Sequence, residues 1–575
     1  MPEAAPILER PRRWDTPFST DMTEADVDRL LTIAPFCHMK AEKFPARSPL
    51  RGILRNDTRI LQLRQGEIIM REGDYGTSAF LILSGAARVI QKPGLPKGML
   101  GRKEPVKKGF FQTVAQLWSA GRPPESYPRS LWRGAEGVAA RQNDNRDVRI
   151  FLQDVPRVLN EHQTDLMRDG EFFGEIAALS RMPRTATIFA EGEGIIELLE
   201  IRWQGLRDMR KNDDELKNHI DKIYRKNSLN TYLNKHPLFR HLSEEQINQF
   251  SGQIEFATFG DYDWSGDYKR LAQKGTLQPE SEPVIVHQGD YPNGVVLVRA
   301  GFGRVAQRFG TGERTLNYIG AGAAFGLQEI VHNWRNPTAP VDMQYTLRAI
   351  GYSHVLIVPT RVMEQMVLPS LPARELPAPV ESAVDLASDL PVVESQEKVS
   401  AETLEFLTTN RFFNGTASMV IDLDRCTRCD DCVRACASTH DNNPRFLRNG
   451  PTSGRLMVAN ACMHCADPVC LIGCPTGAIH REQFGGEVSI NPVTCIGCSL
   501  CHNNCPYEAI RMVDIRDESG AFVVDQDLKP IVKATKCDLC VENRGGPACE
   551  RACPHGALSR INLNNLDALS RWLKR

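Results

Sequence analysis

Sixteen of the seventeen cysteines fall in one stretch of this 575-residue chain, between Cys426 and Cys553. So many thiols in one segment predict either a disulfide framework or metal ligation. Disulfide frameworks are typical of small secreted domains. The N-terminal arginines are not followed by the apolar stretch of a secretion signal. We therefore predict metal ligation and a cytoplasmic location. Cys37 stands apart, and its apolar neighbours predict a buried thiol.

The sixteen cysteines divide into four quartets with a shared order of spacing. The first and third read Cys-x2-Cys-x2-Cys-x3-Cys, whereas the second and fourth have middle gaps of four and eight residues. In the last three quartets the final cysteine is followed by proline. The quartets are Cys426, Cys429, Cys432 and Cys436; Cys462, Cys465, Cys470 and Cys474; Cys495, Cys498, Cys501 and Cys505; and Cys537, Cys540, Cys549 and Cys553.

This spacing predicts iron–sulfur clusters. Closely spaced thiolates reach different irons of one cubane, while the fourth cysteine ligates the other cluster of a pair. We expect that fourth cysteine to begin a helix, with the following proline in its first turn. Zinc is the alternative, but zinc sites usually have two Cys-x2-Cys pairs separated by a longer spacer. The sequence therefore predicts four [4Fe–4S] clusters.

The segment from about 420 to 562 resembles the four-cluster electron-transfer subunits that accompany molybdopterin oxidoreductases. The opening Ile421-Asp422-Leu423-Asp424-Arg425-Cys426 and the irregular second and fourth quartets carry the resemblance. In that family outer quartets pair with outer, and inner with inner. The implied ligand sets are Cys426, Cys429, Cys432 and Cys553; Cys537, Cys540, Cys549 and Cys436; Cys462, Cys465, Cys470 and Cys505; and Cys495, Cys498, Cys501 and Cys474.

The part of the chain before the cysteines contains an internal repeat. An apolar run, a Gly-Asp turn, a second apolar run and a glycine occur in this order in both 63–89 and 283–305. Short strands with glycine turns predict two β jelly rolls, and the helical periodicity of 205–236 predicts a connection between them. The predicted class is multidomain α+β, ending in a double two-cluster ferredoxin-like domain.

We divide the chain into an N-terminal extension (1–30), the first β domain (31–215, with a long insert near 92–163), the second β domain (216–367), a Pro- and Ala-rich linker (368–402) and the cysteine-rich segment (403–575).

The first β domain contains Phe173-Gly174-Glu175-Ile176-Ala177-Ala178-Leu179, followed by Pro183-Arg184-Thr185-Ala186. This pattern resembles the phosphate-binding cassette of cyclic nucleotide-binding domains. The resemblance implies that backbone N–H groups from Gly174 onward meet the phosphate. It also implies that Glu175 accepts from the ribose hydroxyl and that Arg184 pairs with the phosphate charge. The candidate contacts for cAMP or cGMP are Gly174, Glu175, Ile176, Ala177, Arg184, Thr185 and Ala186. The alternative is a β domain that kept the cassette for packing and lost the ligand.

The second β domain departs from this pattern. Phe325-Gly326 resembles the start of a cassette, but Met343 falls where the first domain has Arg184. Arg335 and Arg348 are candidates to replace that charge. We interpret this copy as a degenerate, structural or regulatory domain.

These observations predict an iron–sulfur electron-transfer protein regulated by a cyclic nucleotide. Its partners would be redox proteins, such as a molybdopterin or flavin oxidoreductase subunit. We find no Walker loop, dinucleotide fingerprint or nucleophile–base set, so we expect no enzyme activity of its own. A net charge of -1 and the lack of a long apolar run argue against nucleic-acid and membrane partners. Two alternatives stay open: an oxidoreductase subunit whose β domains are interaction modules only, and a redox-sensing regulator.

Overall fold

A computed structural model describes residues 7–8, 13–15, 17–92, 95, 151–152, 155–175, 183–192, 194–261, 264–274, 281–310, 312–377, 380, 399–440, 443–482, 486–516, 521–541 and 546–575. Most of the predicted insert and linker, and the candidate contacts Ile176 and Ala177, lie outside these residues. The chain divides into two compact units that do not follow the linear domain order. The first unit comprises Met1–Lys226, Asp430–Leu447 and Cys470–Cys553, and the second comprises Asn227–Cys429, Arg448–Val469 and Pro554–Arg575.

The first β domain contains two four-stranded antiparallel sheets. One has the order Thr58–Leu63, Ile196–Arg202, Ser78–Ser84 and Phe172–Phe173; the other has Ile68–Met70, Thr187–Glu191, Ala86–Lys92 and Gln163–Arg168. Side chains alternate between the two faces of a strand, so Phe80 and Ile82 point into a core with Ile188 and Leu198. Its helices are Glu24–Leu30, Leu50–Asp57, Val155–Glu161, Trp203–Asn212 and Asp214–Lys235. The last two fall where the sequence predicted a helical connection.

The second β domain is built on one six-stranded sheet. Its strands are Glu255–Phe259, Thr346–Pro359, Gly294–Phe309 and Gly312–Ile319 in that order, with Val284–Val286 and Ala324–Phe325 paired to the two long strands. The long strands bend where Gly301 has a φ of 85°, and a Cβ there would lie 2.3 Å from the carbonyl oxygen of Tyr352. Only glycine fits such a close approach. The helices of this domain are Glu244–Ser251, Trp264–Lys274 and Leu327–Arg335.

The cysteine-rich segment contributes short elements to both units. In the first unit they are the helices Asp431–Ser438, Leu500–Asn504 and Ala548–Arg551 and the paired strands Ile479–Arg481 with Val488–Ile490 and Arg511–Asp514 with Val532–Thr535. In the second unit they are the helices Ala401–Thr409 and Leu566–Lys574 and a sheet of Thr452–Ser453, Leu456–Val458, Ser418–Asp422 and Leu558–Ile561.

Each unit joins one β domain directly to part of this segment. In the first unit, Arg202 donates to the carbonyl oxygen of Thr476 at 3.3 Å, and Arg207 donates to that of Ile472. In the second unit, the Tyr318 hydroxyl donates to the carbonyl oxygen of Leu563 at 2.5 Å. The β domains therefore do not depend on the linker alone for their connection to the cysteines.

The prediction that the fourth cysteine of each quartet begins a helix is wrong. Cys505 and Cys553 follow helices that have just ended, and the chain beyond each Cys-Pro enters a strand. The cause lies two residues after each proline, where Gly477, Glu508 and Gly556 have φ values of 71°, 50° and 56°. A left-handed residue at this point prevents an α-helix from continuing.

The prediction that Cys37 is buried is also wrong, because its thiol is exposed. The neighbouring Phe36 supplies the buried side chain at this point, with 1% of its surface exposed. Among the described residues, no helix is both long and apolar enough to cross a membrane.

Candidate functional site

The four cysteine loops share one backbone feature. The residue before the second cysteine is left-handed in every quartet: Arg428, His464, Gly497 and Leu539 have φ values of 61°, 50°, 66° and 58°. Three of these are not glycine, and non-glycine residues rarely adopt this conformation. Turns that include a left-handed residue direct successive N–H groups into a concavity that binds anions, as in many iron–sulfur sites. The quartets thus share this left-handed position despite their different middle gaps.

Four cysteines from two quartets line a single cavity in the first unit. They are Cys474, Cys495, Cys498 and Cys501, and Ile479, Ile490, Met512 and Ala534 contribute apolar walls. Burial raises the pKa of the Cys501 thiol to about 12, and the three neighbouring thiols act in the same direction. Thiolates held this close together and away from water need a cation between them. This grouping coincides with one of the ligand sets implied by the resemblance.

A second group of cysteines lies elsewhere in the first unit. Burial raises the pKa of Cys436 to about 11, and Cys537, Cys540 and Asp538 are close enough to raise it further. The helix that carries Cys436 packs against Ala548–Arg551, which carries Cys549. The structure therefore brings the members of another implied set into one neighbourhood.

His440 lies at the edge of this second group. Its Nε2 atom is 4.0 Å from the Cys540 sulfur and 3.7 Å from an Asp538 oxygen, and the side chain is buried. Because Cys540 belongs to a cysteine set, we interpret His440 as a hydrogen-bonding neighbour of that set.

The other eight cysteines keep their sequence-based grouping as a prediction. All seventeen cysteines have free thiols, so none is removed from ligation by a disulfide. The remaining two sets are Cys426, Cys429, Cys432 and Cys553, and Cys462, Cys465, Cys470 and Cys505. Within the cavity formed by Cys474 and its neighbours, the donor set fits a [4Fe–4S] cluster, because four thiols meet there among mostly apolar side chains.

Arg184 lies at the centre of the candidate nucleotide site. It is buried, and its two terminal nitrogens donate to the carbonyl oxygens of Gly174 at 2.6 Å and Ser78 at 2.7 Å. Its guanidinium also lies 5.6 Å from the ring centre of Phe80. Burial lowers the pKa of Arg184 to about 10, while Glu200, Glu175 and Asp74 oppose the shift. The side chain therefore keeps its positive charge at neutral pH.

The other candidate contacts surround this arginine. Glu175 and Ala186 are buried, and Thr185 is half-buried. Sequence reasoning missed Glu200, which accepts from the Ser78 hydroxyl at 2.5 Å and from Arg59 at 2.6 Å. Only the pairing of two distant strands places Glu200 opposite Phe80, so no local pattern could have indicated it.

The second β domain has the same backbone frame without the charge. Gly289 donates to the carbonyl oxygen of Met343 and the N–H of Met343 donates to Asp290, both at 2.8 Å. In the first domain Gly73 and Asp74 make the same two contacts with Arg184, both at 2.7 Å. Met343 therefore occupies the place of Arg184.

Neither candidate replacement supplies the missing charge at this place. Arg348 donates to Glu313 at 2.6 Å from a different strand position, and Arg335 is exposed.

Comparison with known proteins identifies two kinds of domain in this chain. A model of the 4Fe-4S dicluster domain matches residues 454–562, and a model of the cyclic nucleotide-binding domain matches residues 280–369. Electron transport protein HydN of Escherichia coli strain K12 is 33% identical over 170 residues, which cover 27% of this chain and 94% of HydN. The chain belongs to the iron–sulfur electron-transport family. It also carries a cyclic nucleotide-binding domain.

Two other similar proteins share less with this chain. The beta subunit of the NADH-dependent phenylglyoxylate dehydrogenase of Aromatoleum evansii is 32% identical over 157 residues, which cover 26% of this chain and 31% of that subunit. Among solved structures, the regulatory domain of Toxoplasma gondii PKA with cAMP aligns with 61% of this chain and 94% of its own, at 13% identity and a TM-score of 0.19. That score is too low to support a shared fold.

Proposed function

We propose that this chain transfers electrons through four [4Fe–4S] clusters, one for each of the four ligand sets given above. The observation that carries the proposal is the left-handed residue shared by all four cysteine loops, because it prepares each loop alike for an anionic group. A bound cubane supplies one-electron redox chemistry. The chain's own thiolates hold it, and apolar residues such as Ile479 and Met512 exclude water.

The same proposal includes the domain organisation and the partners. Two jelly rolls precede a double two-cluster ferredoxin-like domain, with the boundaries predicted above. A chain that only carries electrons needs a donor and an acceptor, and an oxidoreductase subunit with a molybdopterin or flavin centre fits one of these positions. The phenylglyoxylate dehydrogenase relative supports this choice, since its name makes it an oxidoreductase subunit.

Anaerobic purification followed by iron, sulfide and zinc analysis tests the four clusters. We expect about sixteen iron atoms per chain, as four cubanes require. Electron paramagnetic resonance of the dithionite-reduced protein should then show interacting cluster signals. A colourless protein that contains zinc, or one with iron for only two cubanes, would contradict the proposal.

We further propose that a cyclic nucleotide binds the first β domain and regulates electron transfer. Arg184 is charged, buried and adjacent to Glu175, as the resemblance to a phosphate-binding cassette requires. Its donors now bind the carbonyl oxygens of Gly174 and Ser78. A phosphate would compete with these carbonyls for the guanidinium, so ligand binding would change the contacts of the surrounding loops.

The loop at residues 73–76 supports a direct route from this site to the clusters. On one side, a Cβ on Gly76 would lie 2.2 Å from the Arg184 guanidinium, so the loop touches the charge. On the other side, the Arg481 guanidinium lies 4.5 Å from the ring centre of Tyr75. Arg481 ends the strand that begins with Ile479, a wall of the cysteine cavity. A shift of this loop would therefore reach a strand beside a cluster.

Isothermal titration calorimetry of the full chain with cAMP and with cGMP tests the regulatory proposal. We expect one binding event per chain and a change in the rate of cluster oxidation when the nucleotide is present. The absence of heat with both nucleotides would contradict it.

Binding without any effect on oxidation would favour a second candidate, in which the β domains are interaction modules only. The direct packing of Arg202 and Arg207 against the cysteine-rich segment is consistent with that role.

A further inference from the structure

Two buried lysines lie beside the cysteine sets of the first unit. Lys533 and Lys536 have 6% and 3% of their surfaces exposed. Lysine is almost never fully buried unless its charge is compensated. The two residues belong to, or directly follow, the strand Val532–Thr535, which leads into the quartet that starts at Cys537.

This strand packs against the loop of the third quartet. A Cβ on Gly497, which lies between Cys495 and Cys498, would be 2.2 Å from the carbonyl oxygen of Val532. Ala534 on the same strand lines the cysteine cavity. The backbone that carries Lys533 is therefore in contact with a cluster loop.

The lysine ammonium groups donate to the backbone of the cysteines themselves. Lys533 Nζ donates to the carbonyl oxygen of Cys495. Lys536 Nζ donates to the carbonyl oxygen of Cys537 at 2.9 Å and also to that of Val488. Each lysine thus donates a hydrogen bond to a member of a different cysteine set.

Neither ammonium forms an ion pair with a carboxylate anywhere in the part of the chain that the structure describes. A buried charge is costly unless an opposite charge is close to it. A cubane held by four thiolates is anionic and gains one further negative charge on reduction.

We propose that Lys533 and Lys536 are positioning residues that raise the reduction potentials of two different clusters. Lys533 acts on the cluster of Cys474, Cys495, Cys498 and Cys501, and Lys536 acts on that of Cys436, Cys537, Cys540 and Cys549. The proposal rests on the four-cluster function proposed above. A fixed positive charge stabilises the reduced, more negative state of its cluster, and it also anchors the cysteine carbonyl.

The test is a redox titration of the full anaerobic protein followed by electron paramagnetic resonance. Lys533→Met and Lys536→Met remove the charge at similar side-chain length. We expect each to lower the ratio of reduced to oxidised cluster at a fixed potential about tenfold, which equals a shift of about 59 mV for one electron. The two variants should shift different signals. Lys529→Met is the matched control, because Lys529 has 68% of its side chain exposed and lies on the same hairpin. It should shift neither signal.

Lys533→Arg and Lys536→Arg keep the charge and should retain full iron and wild-type potentials. A methionine variant that loses its cubane while the arginine variant retains it also supports the charge requirement. Full iron with unchanged potentials in both methionine variants would overturn the proposal, as would equal loss of iron in the arginine variants. Iron analysis of the wild-type protein distinguishes a failure of the proposed function from a failure of the lysine proposal. Fewer than four cubanes in the wild type would contradict the proposed function, not the role of the lysines.

Discussion

The two β domains share a backbone frame and differ in the charges it holds. In both, a Gly-Asp turn exchanges two hydrogen bonds with the residue at the Arg184 position, and a threonine three residues later accepts from the residue before the glycine. Yet three charged residues of the first site have apolar counterparts in the second, whereas Asp74 corresponds to Asp290. The counterpart pairs are Arg184 and Met343, Glu175 and Leu327, and Glu200 and Ile357.

In the second domain, the buried arginine and two of its carboxylate partners are absent together. Arg184 is tolerated in its buried position because Glu200 and Glu175 offset the cost of removing its charge from water. With Leu327 and Ile357 in the equivalent places, an arginine would have lost these partners. The fold is thus separable from the ligand chemistry, and a family match to the second domain does not by itself establish binding there.

The largest expected effect is that of Met343→Arg, which puts a cation where the second domain has apolar residues in place of Glu175 and Glu200. Met343 has 2% of its surface exposed. We expect the free energy of unfolding to fall by about 3–5 kcal/mol, as for a buried charge that lacks the partners of its counterpart. Urea denaturation measures it. Met343→Leu is the control and should cost less than about 1.5 kcal/mol. A stable Met343→Arg variant would mean that the two pockets are electrostatically alike.

The next effect is on ligand affinity in the first domain. Arg184→Met removes the phosphate partner and should weaken cyclic nucleotide binding by about 2–5 kcal/mol, as when one member of a buried charge pair is lost. Calorimetry compares this variant with Met343→Leu, whose binding should equal that of the wild type. If Arg184→Met binds as tightly as the wild type, the ligand does not use the first site.

A smaller effect is expected at Glu200, which sequence reasoning missed. Glu200→Gln keeps an acceptor for Ser78 but removes the charge that lies near Arg184 and Arg59. We expect a loss of about 1–3 kcal/mol in unfolding free energy, because hydrogen-bonded charges lose a partner. Ile357→Val at the equivalent position should cost about 0.5–1.5 kcal/mol. Equal losses in these two urea titrations would show that the carboxylate has no electrostatic role.

Sequence alone identified the features that recur at short range. The quartet spacing indicated metal ligation, the Gly-Asp turns marked both β domains, and the alignment placed Met343 against Arg184 correctly. These patterns depend on residues close together in the chain, so their local chemistry is visible in the sequence.

Features set by long-range pairing could not be predicted in this way. Glu200 reaches Arg184 only because its strand pairs with that of Phe80. Lys533 contacts Cys495, and Lys536 contacts Val488, only through tertiary packing. The error about helices after Cys-Pro has a local cause, since Glu508 is left-handed without being glycine. Nothing in its residue type predicts that conformation.

The smallest expected effect on the free energy of unfolding concerns the tyrosine that follows each Gly-Asp turn. The two tyrosines have different surroundings. Tyr75 in the first turn lies under Arg481, whereas the equivalent Tyr291 has 60% of its surface exposed. Tyr75→Ala should cost about 0.5–1 kcal/mol, as for a cation–π contact near the surface, and Tyr291→Ala should stay within about 0.5 kcal/mol of the wild type. A double-mutant cycle with Arg481→Met isolates the contact. If this contact transmits nucleotide binding, Tyr75→Ala also abolishes the nucleotide's effect on the rate of cluster oxidation. The nucleotide affinity measured by calorimetry should be retained. If the effect on oxidation is retained as well, another path connects the first β domain to the clusters.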